Sequence, residues 1–286
     1  MKKYYMRAIL GLAVFSLAAC GNSATPIDGT TAKSNLALEQ VFTNAMERQE
    51  SLKSVKANMT MEQGIAMTME GEEVLMTSST NIEMSMTAKP MSLFADGTMS
   101  MTMGGEEESF NMPLKMYLTE ADGFYMNDMM SDGWVKLPDE MYEDLLAQVG
   151  ANADAQEQLL QLKPFLEDFK FEQTDEEYIL TLNANGEKFN EMIFEQVKGT
   201  LGQQLEEEDQ SVFDGIKIED AKYIITINKE TFDMTKMVMD FVMTMDVDGV
   251  LSEVNTSSTM TYSNFNTIDT ITIPQEVLNN AINSGF

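Results

Sequence analysis

The sequence predicts an α+β fold, an antiparallel sheet with one apolar face covered by amphipathic helices. Three observations carry that prediction. Between Val55 and Thr119, four successive segments alternate apolar and polar residues, with methionine dominating the apolar phase. A second run of alternating segments follows residue 216, and stretches with helical apolar spacing lie before the first run and between the two. Side chains alternate across a strand, so a period of two gives each segment one wet and one oily face. A meander of such strands makes a sheet whose oily side must be covered.

The four stripes keep strict parity. Met59, Met61, Ile65, Met67 and Met69 are odd, and Val74, Met76, Ile82, Met84 and Met86 are even. Met91, Leu93, Met99, Met101 and Met103 are odd again, and Phe110, Met112, Leu114, Met116 and Leu118 are even. The opposite positions carry Ser, Thr, Asn, Glu and Lys, with Leu75 and Phe94 as exceptions. Gly104-Gly105 and Asp122-Gly123 fit reversals between strands, whereas Asp96-Gly97 falls inside the third segment and predicts a bulge or a split there.

Residues 1–19 are set aside as a processing signal. Lys2, Lys3 and Arg7 form a positive region, and Ala8 to Ala19 form an apolar run too short to span a bilayer. Leu17-Ala18-Ala19-Cys20 is similar to the lipobox of bacterial lipoproteins, and Cys20 is the one cysteine of the chain. That resemblance implies lipidation of Cys20, export, and a cell-membrane anchor on the extracytoplasmic face, because two or three acyl chains hold stably where one does not. Residues 20–34 read as the lipidated cysteine and a flexible tether, and 35–286 as one domain.

The domain opens with an amphipathic helix over about 36–54, on Leu38, Val41, Phe42, Ala45, Met46 and Leu52. After the meander, 123–126 and 134–137 read as short strands. Pro138 opens a helix with Met141, Tyr142, Leu145, Leu146 and Val149 on one face. Another helix covers about 153–163, broken or kinked at Pro164. Residues 169–173 and 178–183 read as a hairpin, and Phe189 to Leu201 as a helix. Residues 216–228, 234–247 and 251–265 are long strands or strand pairs, with Met237, Met239, Phe241, Met243, Met245 and Val247 repeating the stripe and Asp248-Gly249 as the turn. A short helix follows Pro274.

Charge and composition exclude several function classes. The formal charge of −29 becomes −32 once Lys2, Lys3 and Arg7 leave, which argues against nucleic acid and against electrostatic docking on anionic lipid. No histidine and no free cysteine leave the usual base, thiol nucleophile and zinc ligands missing, so no enzyme activity, cofactor or metal is expected. Carboxylates are plentiful, but the runs Glu106–Glu108 and Glu206–Asp209 read as solvated surface rather than a glycosidase pair. Asp246-Val247-Asp248-Gly249 fails a calcium loop, because positions 5 and 12 would be Val250 and Ser257. Met-x-Met recurs at 59/61, 67/69, 84/86, 99/101/103, 237/239 and 243/245, and thioethers suit Cu(I), yet the stripes continue into Ile, Leu and Phe as a core would.

The lipobox, the helix ahead of the first long strand, the meander, and Phe124-Tyr125-Met126 followed by Asp132-Gly133-Trp134-Val135-Lys136-Leu137 together resemble the LolA/LppX-like lipoprotein superfamily. The chain looks especially like uncharacterised Gram-positive lipoproteins of that fold, the DUF6612-like proteins. The resemblance implies a curved antiparallel half-barrel with helices covering its concave face, and non-enzymatic carriage of a lipid or other hydrophobic ligand in the cell envelope by a monomer. The expected lining is Met59, Met61, Met67, Met69, Met84, Met86, Met99, Met101, Met103, Met112, Met116, Met237, Met239, Phe241, Met243 and Met245. Methionine suits a deformable apolar wall, although it is a poorer strand former than Val or Ile. Two alternatives stand beside this. One is a scaffold lipoprotein with a packed core that acts through its acidic surface, and the other, a lesser one, is a Met-rich Cu(I) carrier.

Overall fold

The computed structural model describes residues 23–69, 72–104, 109–128, 133–138, 155–184, 189, 216–247 and 250–283. Strand β1 (Thr25–Pro26) and helix α1 (Leu38–Glu50) precede the meander β2 (Ser54–Met69), β3 (Glu72–Ala88), β4 (Met91–Met103), β5 (Phe110–Thr119), β6 (Gly123–Asn127) and β7 (Trp134–Lys136). Helix α2 (Ala155–Leu162) runs into a 3-10 helix, Lys163–Asp168. Then come β8 (Lys170–Gln173), β9 (Glu177–Asn183), β10 (Ile216–Asn228), β11 (Met234–Val247), β12 (Val250–Ser263), α3 (Gln275–Asn280) and β13 (Ile282–Asn283). The predicted helices over 139–149 and 190–201 lie outside the described residues, apart from Phe189.

All thirteen described strands form one open sheet in the order β1-β8-β9-β10-β11-β12-β2-β3-β4-β5-β6-β7-β13. Two antiparallel meanders, β2–β7 and β8–β12, join where β12 pairs with β2 over Leu251–Ser263 and Lys56–Thr68. A sheet this wide curls, because each strand is rotated relative to its neighbour. The described residues are mostly β-strand. Each edge is capped by a short parallel strand from one end of the described chain, β1 on β8 and β13 on β7, which blunts both edges against further pairing.

Alternation dictates these strands, and bulges rescue it where parity switches. Ile216 and Ile218 are even but Ala221, Tyr223, Ile225 and Ile227 are odd. A register shift between Ile218 and Asp220 returns all six to one face. The long segments after residue 216 are therefore single strands, not strand pairs. Asp96-Gly97 makes no bulge, since β3 and β4 pair without a slip from Met76↔Met103 to Ala88↔Met91. Glycine is needed at 97 for close approach. A Cβ there would sit 2.7 Å from Ile82 Cα and 2.9 Å from its Cγ1. The α-helix ends at Leu162, just before Pro164, as the expected break there requires. Pro164 itself stands in the first turn of the 3-10 helix, where its missing N–H is harmless.

The main core lies at the end of the sheet where β2 starts. Val41, Phe42 and Ala45 of α1 join Ala57, Leu180, Ile225, Met234, Met237 and Tyr262 of the stripe face, with Leu159 and Leu162 of α2. Arg48, in the last turn of α1, ties the helix to the sheet through Asp233 at 2.6 Å. Leu93, Leu118 and Phe124 make a second cluster. A third, on the opposite face, packs Ile273 and Val277 against Tyr117, Tyr125 and Trp134. Phe94, an exception to alternation, stacks on Tyr117 with ring centroids 4.6 Å apart, whereas Leu75 stays exposed.

The described part of the predicted tether is not free. Besides β1, Ser23 bridges Ala37. The buried amide of Gln173 donates to Ala24 O (2.7 Å) and Ser34 O (3.1 Å). Its Oε1 accepts from Ser34 N (2.8 Å) and Lys229 Nζ (2.9 Å). Lys229 also donates to Ala32 O (2.6 Å) and Thr174 O (2.8 Å). The carboxylate of Asp175 accepts from Thr31 N and Ala32 N, and these backbone bonds hold its pKa below the usual carboxylate range. Gln173 therefore uses all four of its hydrogen-bonding positions, and residues 23–34 form a strap on the sheet edge.

A polar patch in a methionine field

Strand register fixes which side chains share the stripe face. Across β10, β11, β12, β2, β3, β4 and β5, one row reads Tyr223, Met239, Ser258, Met61, Thr80, Met99, Met112. The next row, further from α1, reads Ala221, Phe241, Thr256, Gln63, Ser78, Met101, Phe110. On the three central strands these rows are polar, with Ser258, Thr256, Gln63, Ser78 and Thr80 clustered around Met61. Met239 and Phe241 border the patch on one side, and Met99 and Met101 on the other. Met59 and Ile82 lie below it, and Ile65, Met76 and Val254 above.

The patch carries no charge. From the row of Tyr262 and Ala57 to the row of Met67 and Val74, no stripe-face position on β9–β12 or β2–β6 is Asp, Glu, Lys or Arg. Inside the patch, Gln63 Nε2 donates to Thr256 Oγ1 at 3.3 Å. Thr80, 3% exposed, has a hydroxyl with no partner among the described residues. Leaving such a group unpaired is costly, so the position is informative. Tyr262, at the base of the face, likewise has a buried hydroxyl without a partner among the described residues, and burial pushes its pKa up. Burial raises Tyr223 to about 12.

The predicted lining divides in two. Met84, Met86, Met116 and Phe241 pack on the core clusters, and Met237 belongs to one. Met59, Met61, Met67, Met99, Met101, Met112, Met239, Met243 and Met245 are half-buried, and none is among the side chains packed on those clusters. Met103 is 57% exposed, as is Phe110 at 63%. The side chain of Met69, and Cys20, lie outside the described residues. The stripe is thus core near α1 and half-buried further along the strands, with Met103 and Phe110 exposed. The Met-x-Met pairs lie on separate strands, β2, β3, β4 and β11, and are not gathered in one loop.

The polar patch is absent from the predicted lining, although a signal for it exists. Ser78 and Thr80 stand in phase with Met76 and Ile82, and Gln63 in phase with Met61 and Ile65. A polar residue in the apolar phase of an alternating strand marks a special position. Attention to methionine alone passes over it.

The opposite face holds a hollow of about 370 Å³, centred on Gly64 and lined by Glu62, Asp220, Asp240, Val242, Asn255 and Ser257 among others. Two of its three carboxylates accept hydrogen bonds, Asp240 from Ser257 (2.6 Å) and Glu62 from Ser79 (2.8 Å). Among the described residues, no group of three or more acidic, His or Cys side chains is placed to hold a metal ion. No described helix is long and apolar enough to cross a membrane.

Comparison with solved structures finds low similarity. A DUF1329 family protein from Desulfovibrio piger is 10% identical, over 80% of this chain and 92% of that one, with a TM-score of 0.22. A β-barrel-like DUF1849 protein from Brucella abortus is 6% identical, over 75% of this chain and all of that one, with a TM-score of 0.17. No curated protein matches. The family model described as "Family of unknown function (DUF6612)" matches residues 37–282.

Proposed function

This chain belongs to the DUF6612 family, and we propose that it is a LolA/LppX-like lipoprotein, anchored through Cys20 on the extracytoplasmic face of the cell membrane, which binds or carries a hydrophobic ligand without chemistry. One observation carries this reading: a methionine face with no charged described strand position that is packed on the core at its base and only half-buried above, in a protein of net charge −29. Apolar surface of that extent is normally covered by something. Each buried CH₂ of a ligand contributes about 0.8 kcal/mol, so an acyl chain of ordinary length gains roughly 10 kcal/mol before the entropy of binding is subtracted. Flexible thioethers can re-pack around chains of different shape.

The test is lipid extraction from the full-length protein purified in mild detergent, followed by uptake of a fluorescent fatty-acyl probe. Lipid should co-purify, and Met101→Asp or Met243→Asp should abolish uptake while leaving the far-UV spectrum unchanged. A protein that carries no lipid and takes up no probe removes the reading. The scaffold alternative gains support from the acidic hollow around Gly64. It predicts salt-sensitive capture of a cationic partner by a protein that binds no lipid.

A further inference from the structure

The geometry points to a narrower ligand class, an uncharged lipid of the diacylglycerol type whose ester and hydroxyl groups sit on the polar patch while its apolar arms lie on the surrounding methionines. This inference rests on the reading above and specifies its ligand. Three observations select the class. First, the described strand positions of the stripe face offer no cation to an anionic headgroup, and the chain as a whole is strongly acidic, so a buried carboxylate or phosphate would be desolvated with no counter-charge among the described strands. Second, the polar groups lie in the middle of the face, with apolar rows toward both ends of the strands. A ligand polar at one tip would place its head among methionines. One polar in the middle, with arms on either side, matches. Third, Thr80 Oγ1 is buried and unpaired among the described residues, and Gln63 and Ser78 are directly opposite one another beside it. Hydroxyl and amide groups both donate and accept, which suits ester carbonyls and a free hydroxyl together. A pure hydrocarbon would leave Thr80 unsatisfied.

The experiment is native mass spectrometry of the full-length protein in non-ionic detergent, offered dioleoylglycerol, dioleoylphosphatidylglycerol and oleate at equal concentration. The acyl chain is the same in all three, so only the polar group differs. Dioleoylglycerol should be preferred over both anions by about 100-fold or more. Thr80→Val, which removes the hydroxyl and keeps the shape, should weaken dioleoylglycerol binding roughly 2- to 12-fold and raise the melting temperature of the lipid-free protein. Lower affinity together with higher stability separates a ligand-binding role from a structural one. Equal or stronger binding of either anion overturns the neutral-lipid inference and leaves the carrier reading intact. Undiminished binding by Thr80→Val overturns the assignment of the patch. Binding of no lipid of any class ends both.

Discussion

Gly97→Ala should be among the most damaging single-methyl changes in this protein. Gly97 stands on the stripe face of β4 directly opposite Ile82 of β3. An added Cβ would meet the carbonyl oxygen of Asn81 and lie 2.7 Å from Ile82 Cα. Both obstacles are backbone, so no rotamer change relieves them, and the β3–β4 ladder has to part at its centre. Overpacking costs about 1–3 kcal/mol where side chains can move, and roughly 2–4 kcal/mol is expected here. For a domain of this size that lowers the melting temperature by roughly 5–15 °C. Gly64→Ala is the matched control, a central-strand glycine with nothing within 4 Å of the new methyl, and should stay within about 0.5 kcal/mol of the parent. Thermal and urea melts followed by circular dichroism measure both. A double-mutant cycle with Ile82→Ala sharpens the test, because trimming Ile82 leaves Asn81 O and Ile82 Cα in place. Coupling should therefore stay below about 1 kcal/mol. Equal stability of the two alanine variants, or full rescue by Ile82→Ala, would refute the reasoning.

Three further outcomes follow from the packing. Arg48→Ala strands the buried Asp233 carboxylate and should destabilise by about 2–3 kcal/mol in urea melts. Asp233→Asn should lose less, because it keeps an acceptor, and the reverse order would contradict the ion-pair account. The phenols of Tyr223 and Tyr262 are raised by burial, Tyr223 to about 12. The folded state therefore keeps protons that the unfolded chain releases near pH 10, and their contribution is complete below that pH and lost as pH rises toward 12 and beyond. Tyr262→Phe should flatten this alkaline loss in pH-dependent melts and, because its hydroxyl has no partner among the described residues, should not weaken the protein at pH 7. Finally, Lys229→Met removes one hydrogen bond to the strap, at Ala32 O, and two to the residues it rests on, Gln173 Oε1 and Thr174 O. It should expose residues 23–34 to proteolysis while the main melting transition moves little, and a chain cut no faster than the parent would show that the strap holds without the lysine.

The strands were legible because period-two alternation is a local signal and methionine marks it clearly. The predicted 216–228 and 234–247 are β10 and β11 as observed. What failed was long-range. Asp96-Gly97 looks like a turn until Ile82, fifteen residues earlier, is found against it. The strap looks like a linker because Gly29, Thr30 and Thr31 are small and polar. Its fixation depends on Gln173, Asp175 and Lys229, more than 130 residues away in sequence. The polar patch needs the register of three strands, two from one meander and one from the other. Separately, Gln63 is one break in its stripe and Ser78 with Thr80 and Thr256 with Ser258 are two each, and the β2–β3 and β12–β2 pairings together make them neighbours.

The strap also constrains how a lipid-anchored molecule would stand. If Cys20 carries the acyl chains, only three residue steps separate it from Ser23, which bridges Ala37, so the anchor lies within about 10 Å of the strapped edge. That edge is level with Tyr178, Ile227 and Met234, at the end of the sheet where β2 begins. The half-exposed methionines lie toward the other end, and β2 alone spans 16 residues, or about 50 Å. The closed base would then face the bilayer and the open part of the face would point away from it, so ligand exchange would occur on the side remote from the anchoring membrane. Fluorophores at Glu230→Cys, in the turn between β10 and β11, and at Leu251→Cys, near the far end of β12, should report this with headgroup quenchers in the vesicle. Strong quenching at 230 and weak quenching at 251 is the expected pattern. Equal quenching at both would mean that the molecule lies flat and the strap sets no direction, whereas failure to join the membrane at all would count against the anchor itself.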